Sequence, residues 1–333
     1  EALLERSWAL RHENPEQMVR LAEAAALIAA MLPVETYGLE QVREHQCRGA
    51  IELANAYRVA NRLEEAQAEL NRARRFFPQA TRDRLLEARL HEMQANLCGD
   101  RRDFAGAFAA FDGAFAVYKE CGDARRAARA LIKKGIYTGY AGEAEEAIAL
   151  LTEGLAQLAP DDDPQLTLAA VHNIAWLLVD CSRFREARIL VWRHLSLYEQ
   201  HGALLDRLKL LWLQGRIYRG LEDFARAEQA LEEVRSSLDE AGKPYEAAIA
   251  TLDLSVLLLS AGRAERARTL SLEAADVFFS LDVGRECLAA IILLKATFES
   301  RAAEASLDLL EHVADFMRKA VHDPQISFLA HFA

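Results

Sequence analysis

The 333-residue chain carries 51 acidic against 40 basic side chains, a net charge of −11 that excludes a phosphate-binding surface spread over the whole molecule. Hydrophobic residues make up 52% of it, with only 7 prolines and 16 glycines, which suits long amphipathic helices and argues against β structure. Cys47, Cys98, Cys121, Cys181 and Cys287 form no C-x-x-C pair, so neither a disulfide framework nor a zinc site is signalled, and a reduced, cytoplasmic protein is expected.

The first helical pattern is Leu3, Leu4, Trp8 and His12, ending before Asn14-Pro15, where proline can start a helix but not continue one. The sequence opens inside this pattern, which predicts a further N-terminal domain of the same chain. An alanine-rich second helix then runs to about Leu32, with Met18, Ala22 and Ala25 at its inward positions. Residues 1–34 thus read as an irregular capping hairpin. The apolar runs Ala24–Leu32 and Leu288–Leu294 fall short of the roughly eighteen residues of a membrane span.

From Glu35 onward the chain repeats itself about every forty residues. Ala107, Ala147, Ala187, Ala227 and Ala267 recur at intervals of forty, with Ala66 one residue off register, and each is assigned position 20 of its repeat. Position 17 then reads Leu63, Phe104, Ala144, Phe184, Phe224 and Ala264, and position 24 reads Leu70, Phe111, Leu151, Val191, Leu231 and Ser271. Spacings of three and four place the columns on one helical stripe, the packing seam of a hairpin's second helix. Asp103 and Asp223 at position 16 should cap that helix, with Glu143 favouring its positive end. Asn61, Gly142 and Gly262 at position 15 suit a left-handed residue closing the first helix.

Between hairpins, Tyr118-x-x-x-Gly122, Tyr198-x-x-x-Gly202 and Leu238-x-x-x-Gly242 predict an apolar plug beneath each helix end and a glycine-permitted reversal, with Phe278-x-x-x-Asp282 as a variant. The stretch from Leu158 to Pro164 is polar and proline-bounded, a candidate joint or exposed contact. A last hairpin is expected over residues 284–321 with Leu307 in the ladder position, ending the repeat region at 35–322. A short apolar tail follows at 323–333.

These columns resemble the tetratricopeptide repeat. A small residue stands at position 8 (Ala54, Ala95, Gly135, Ala175, Gly215, Ser255), an aromatic at position 11 in Tyr57 and Tyr218, and alanine at position 20. The period of forty, not thirty-four, implies longer helices and is similar to the sensor domains of bacterial regulators, of the maltose-regulon activator type and the peptide-sensing quorum type. The resemblance implies an all-α, right-handed superhelical solenoid of about eight hairpins, whose first helices line a concave surface that binds peptides, proteins or small ligands.

If the first helices face inward, positions 2, 5, 9 and 12 line that groove. Arg48, Arg89, Arg129 and Lys209 at position 2, Asn55, Asn96 and Arg216 at position 9, and Arg58 and Arg219 at position 12 would recognise carboxylates and hold a peptide backbone. The competing reading is that these charges are polar helix faces paired with neighbours such as Glu52, Glu92 and Asp253. Lys133 and Tyr140, with Gly135 and Gly139 between them, form a second candidate cluster, and His172, Asn173 and Trp176 with Trp212 a third, able to hold a ligand or simply to fill the core.

No H-E-x-x-H, phosphate-cradling glycine loop or G-x-S-x-G elbow occurs, so neither catalysis, a metal nor a cofactor is expected. The sequence therefore reads as a non-catalytic scaffold that binds a protein or acidic peptide, or a small carboxylate ligand, in a basic concave groove. The alternative is a ligand- or peptide-sensing regulatory domain of a multidomain signalling or transcription protein. Neither membrane binding nor direct nucleic-acid contact is expected.

Overall fold

The computed structural model describes residues 2–11, 14–158, 163–281 and 315–316, and among these every regular element is helical. The chain divides into two compact units, residues 1–162 and 163–333, with the boundary inside the polar Leu158–Pro164 stretch. The expected last hairpin, most of it, and the tail lie outside the described residues.

The first unit runs α1 (Ala2–Ala9), α2 (Pro15–Ala30), α3 (Val34–Tyr37), α4 (Leu39–Val59), α5 (Leu63–Phe76), a 3-10 turn (Phe77–Gln79), α6 (Arg84–Asp100), α7 (Phe104–Glu120), α8 (Ala124–Tyr140) and α9 (Ala144–Gln157). The second contains α10 (Pro164–Asp180), α11 (Phe184–Arg193), α12 (Leu195–His201), α13 (Leu204–Gly220), α14 (Phe224–Glu240), α15 (Pro244–Ser260) and α16 (Ala264–Ser280). Consecutive helices pack as hairpins, α4 on α5, α6 on α7 and α8 on α9 in the first unit, and α10 on α11, α13 on α14 and α15 on α16 in the second.

The alanine ladder is the seam. All six position-20 alanines are wholly buried, and Leu70, Phe111, Leu151, Val191, Leu231 and Ser271 at position 24 are buried beside them. Position 8 meets position 24 within a hairpin: a Cβ added to Gly135 or Gly215 would stand 2.8 Å from the Leu151 or Leu231 side chain. Small residues are therefore required at position 8, because close helix approach leaves no room for more. The position-17 residues differ from expectation. Phe104, Phe184 and Phe224 are only half-buried, since they begin their helices at the edge of the seam.

Each hairpin turn has one geometry. The position-16 amide donates to the position-11 carbonyl in all six repeats, from Arg62 to Tyr57 (2.8 Å) through Asp223 to Tyr218 (2.9 Å) to Arg263 to Leu258 (2.8 Å). Position 15 is left-handed in all six, at Asn61, Arg102, Gly142, Ser182, Glu222 and Gly262. This is a Schellman closure, and it holds even where an arginine, serine or glutamate must adopt the left-handed conformation. The Asp103 and Asp223 carboxylates accept from the Gly106 and Arg226 amides as expected, whereas Glu143 makes no side-chain cap.

Two further expectations need correction. On α2 the buried stripe is Met18, Ala22, Ala26 and Ala29, so Ala26 takes the inward place assigned to Ala25. Gly122 and Gly242 are left-handed, but Gly202 has φ −77° and is needed for another reason: a Cβ there would lie 2.4 Å from the Tyr198 carbonyl oxygen. The apolar plugs Tyr118, Tyr198, Leu238 and Phe278 are all buried.

Candidate functional site

In the first unit the inward faces of α4, α6 and α8 converge on Glu92 of α6, which is 4% exposed. Lys133 reaches its carboxylate at 2.7 Å from α8, Arg89 at 3.0 Å from within α6, and Arg129 of α8 lies 3.6 Å away. The Tyr118 hydroxyl donates to it at 3.3 Å. Arg89 in turn forms a two-pronged pair with Glu52 of α4, at 2.9 and 3.0 Å. Three cations thus surround two carboxylates, leaving the cluster one positive charge in excess.

Burial alone would raise the Glu92 carboxyl, but Lys133, Arg89 and Arg129 outweigh it and hold it well below the usual range. Burial pulls Lys133 down to about 8 despite the Glu92 carboxylate, and Arg129 adds to the effect. Arg89 goes the other way: burial would lower it, and the Glu52 and Glu92 charges hold it up.

A second network lies along the same faces. The Asn55 side-chain oxygen accepts from Arg58 at 3.1 Å, Arg58 pairs with Asp100 at 2.7 Å, and the Tyr137 hydroxyl donates to the other Asp100 oxygen at 2.9 Å. Asn55 is 2% exposed and its amide nitrogen finds no hydrogen-bond partner. Asn96 is buried, with its main-chain carbonyl 3.5 Å from the Tyr137 hydroxyl. Arg48 pairs separately with Glu44 (3.1 Å) and Asp83 (3.5 Å). Tyr140 is half-exposed, edge-on to Tyr137.

The second unit fills the same register with aromatics. His172 lies 3.2 Å from the Tyr198 hydroxyl through Nδ1 and 5.9 Å from the Trp176 ring centre. Trp176 meets Trp212 edge-on at 5.9 Å, and the Trp212 indole donates to the buried Asp253 carboxylate at 2.7 Å. The Arg216 guanidinium sits 4.7 Å from the Trp176 ring centre and 2.9 Å from Asp180. Burial depresses His172 to about 4, with Lys209 adding to the shift and Asp206 opposing it. Asn173 bonds its own helix at Ala169 (2.8 Å), Lys209 is exposed and Arg219 is half-buried.

The hairpin packing of the described helices within each unit, the alanine seam and the recurring turn decide the fold. It is that of the tetratricopeptide-like helical repeats. The structure is similar to aspartyl phosphate phosphatase F from Bacillus subtilis, at 11% identity and TM-score 0.62 over 83% of this chain and 69% of that one. It is similar to a Rap protein complexed with competence and sporulation factor, at 13% identity and TM-score 0.63 over 96% and 87%. It is also similar to a signal transduction ATPase with numerous domains from Pyrococcus horikoshii that has a tetratricopeptide repeat sensor, at 16% identity and TM-score 0.64, where it spans 96% of itself but only 52% of the larger protein. No protein-family model matches the sequence, and no curated protein sequence matches it.

Among the described residues no helix of the repeat array is long and apolar enough to cross a membrane, and no three His, Cys, Asp or Glu side chains converge as a metal site would require. Burial pushes the Cys47 thiol up to about 12, which removes it as a nucleophile. In the sequence Glu92 stands out only as a neighbour of the cations and Tyr118 only as an apolar plug. Position 2 is cationic in four of six repeats, whereas the acidic side chain that gathers Arg89 and Arg129 belongs to no recurring column.

Proposed function

We propose that the chain is a non-catalytic, cytoplasmic scaffold that binds an acidic peptide or protein segment on the first-helix faces of its first unit. The observation that carries this reading is the buried Asn55 amide without a partner, beside a cluster with one cation in excess. A buried donor left unpaired costs about 1–3 kcal/mol, which an incoming peptide carbonyl would relieve once Arg58 swings aside. Arg129, tied to Glu92 at only 3.6 Å and one-third exposed, is the cation best placed to take a ligand carboxylate.

Selection of a random peptide library displayed on phage against the chain should enrich acidic sequences. Asn55→Ala with Arg129→Ala should weaken their binding by about tenfold or more. Selected peptides that bind the double variant as tightly as the parent would refute the reading.

A second reading has its own support. Similarity to a signalling ATPase with a repeat sensor favours a sensing role, in which the ligand alters a further domain of the same protein. A small carboxylate would use the same cations, and competition between it and the selected peptides would show one shared site.

A further inference from the structure

One hairpin breaks the pattern on the opposite side. Position 22 holds Ala68, Ala109, Ala149, Gln229 or Thr269 in five repeats, and position 25 holds Asn71, Asp112, Thr152, Glu232 or Leu272; the fourth repeat has Ile189 and Trp192 there instead. Both are exposed, Trp192 at 77%. Its second helix is also interrupted. The His194 Nδ1 lies 2.9 Å from the Leu190 carbonyl, the His194 amide turns to Val191 instead (3.1 Å), and α11 gives way to α12.

A half-open groove of about 320 Å³ lies here within the second unit, lined by Ile189 and Trp192 of α11, Leu195 of α12, Tyr218 of α13 and Arg226 of α14, with Arg188 beside them. That volume is at the lower end of what small-ligand pockets offer and suits one large side chain. The lining carries two arginines, Arg188 and Arg226, and no acidic side chain, although the chain as a whole is acidic. Arg188 is exposed, and Arg226 stacks 5.4 Å from the Tyr218 ring centre while meeting Asp223 at 3.0 Å. Exposed aromatic and arginine side chains around a concavity are the composition of a binding hot spot.

We propose that this groove docks a partner protein's segment that inserts one large apolar side chain and flanks it with carboxylates. The site shares no residue with the Glu92 and Asn55 networks of the first unit and centres on α11, the second helix of its repeat, with Tyr218 of α13 on its wall. Charge selects this occupant over a second copy, because a symmetric dimer through the groove would place α11 arginines against α11 arginines.

The test is the same display selection, sorted by variant. A class of peptides pairing a Leu, Ile, Phe or Trp with Asp or Glu should lose binding about tenfold or more in Trp192→Ala and in Arg188→Glu, yet bind Asn55→Ala with Arg129→Ala unchanged. Trp192 is exposed, so its variant should fold, and unchanged circular dichroism checks this. The emission lost in Trp192→Phe should be quenched more by iodide than by caesium, as a cationic open site requires. Absence of any Trp192-sensitive class, or enrichment of basic sequences, overturns the proposal. So does a Trp192 shielded from both quenchers in the dilute chain, which would mean a segment of this chain covers it, or a drop in sedimenting mass on Trp192→Ala, which would mean a second copy does.

Discussion

The first unit builds a charged cluster around Glu92 on its inner faces, and the second an aromatic chain through Trp176 and Trp212. Position 5 holds Glu92 between Ile51 and Ile132 in one and His172, Trp212 and Leu252 in the other; position 9 holds Asn55, Asn96 and Ile136 against Trp176, Arg216 and Val256. The seam beneath is the same in both, alanine at position 20 and a left-handed turn at position 15. The repeat therefore fixes only the packing between its two helices. The inward face of the first helix is free to become a polar network in one unit and a largely aromatic one in the other.

The largest effect should come from the polar side of this contrast. Glu92→Ala strands Lys133 and Arg89 without their shared carboxylate, and breaking a buried charge cluster from one side costs about 3–5 kcal/mol. Hydrogen exchange should show the loss in α6 and α8, with α13 and α15 unaffected. Trp212→Phe is the counterpart in the second unit. It leaves the Asp253 carboxylate without the indole donor at a cost of about 1–3 kcal/mol, with exchange rising in α13 and α15.

The shared seam should respond alike wherever it is struck. Ala227→Phe and Ala107→Phe should each cost about 1–3 kcal/mol or more, measured by urea denaturation.

Acid should separate the units. His172 titrates near 4 when folded and near 6.5 when unfolded, so the unfolded chain binds the extra proton first. Stability of the second unit should then fall from pH 6.5 to pH 4 and level off below. Glu92 is depressed below the ordinary carboxyl, so its contribution is complete above about pH 4.5 and is lost only at lower pH. Exchange at pH 5 that rises first in α10 supports this order; simultaneous loss in α6 contradicts it. The smallest effect has the opposite sign: Glu222→Gly relieves a left-handed glutamate and should stabilise by about 0.5–1 kcal/mol in thermal unfolding.

The ladder alanines, the position-8 small residues and the apolar plugs were legible in the sequence because each packs against a fixed neighbour at a fixed spacing. The turns were half legible. Asn61, Gly142 and Gly262 advertise a left-handed position, but Arg102, Ser182 and Glu222 do so only once the period assigns them to the same column. Gly202 misled because a glycine forced by close approach to a carbonyl looks, in sequence, like one forced by handedness.

The candidate residues were harder. Arg89, Arg129 and Lys133 are brought together, but by Glu92, whose role depends on three helices meeting and not on spacing within one. Trp192 and Ile189 were legible in principle as departures from their columns. Their columns lie away from the seam, where no fixed neighbour holds the residue type constant from repeat to repeat.

The most direct test of the account is the affinity of a library-selected acidic peptide for the chain and for Asn55→Ala with Arg129→Ala, measured by calorimetry at low and at raised salt. The account expects about a tenfold or greater loss in the variant and a weaker salt dependence than in the parent. Equal affinity and equal salt dependence in both would contradict it.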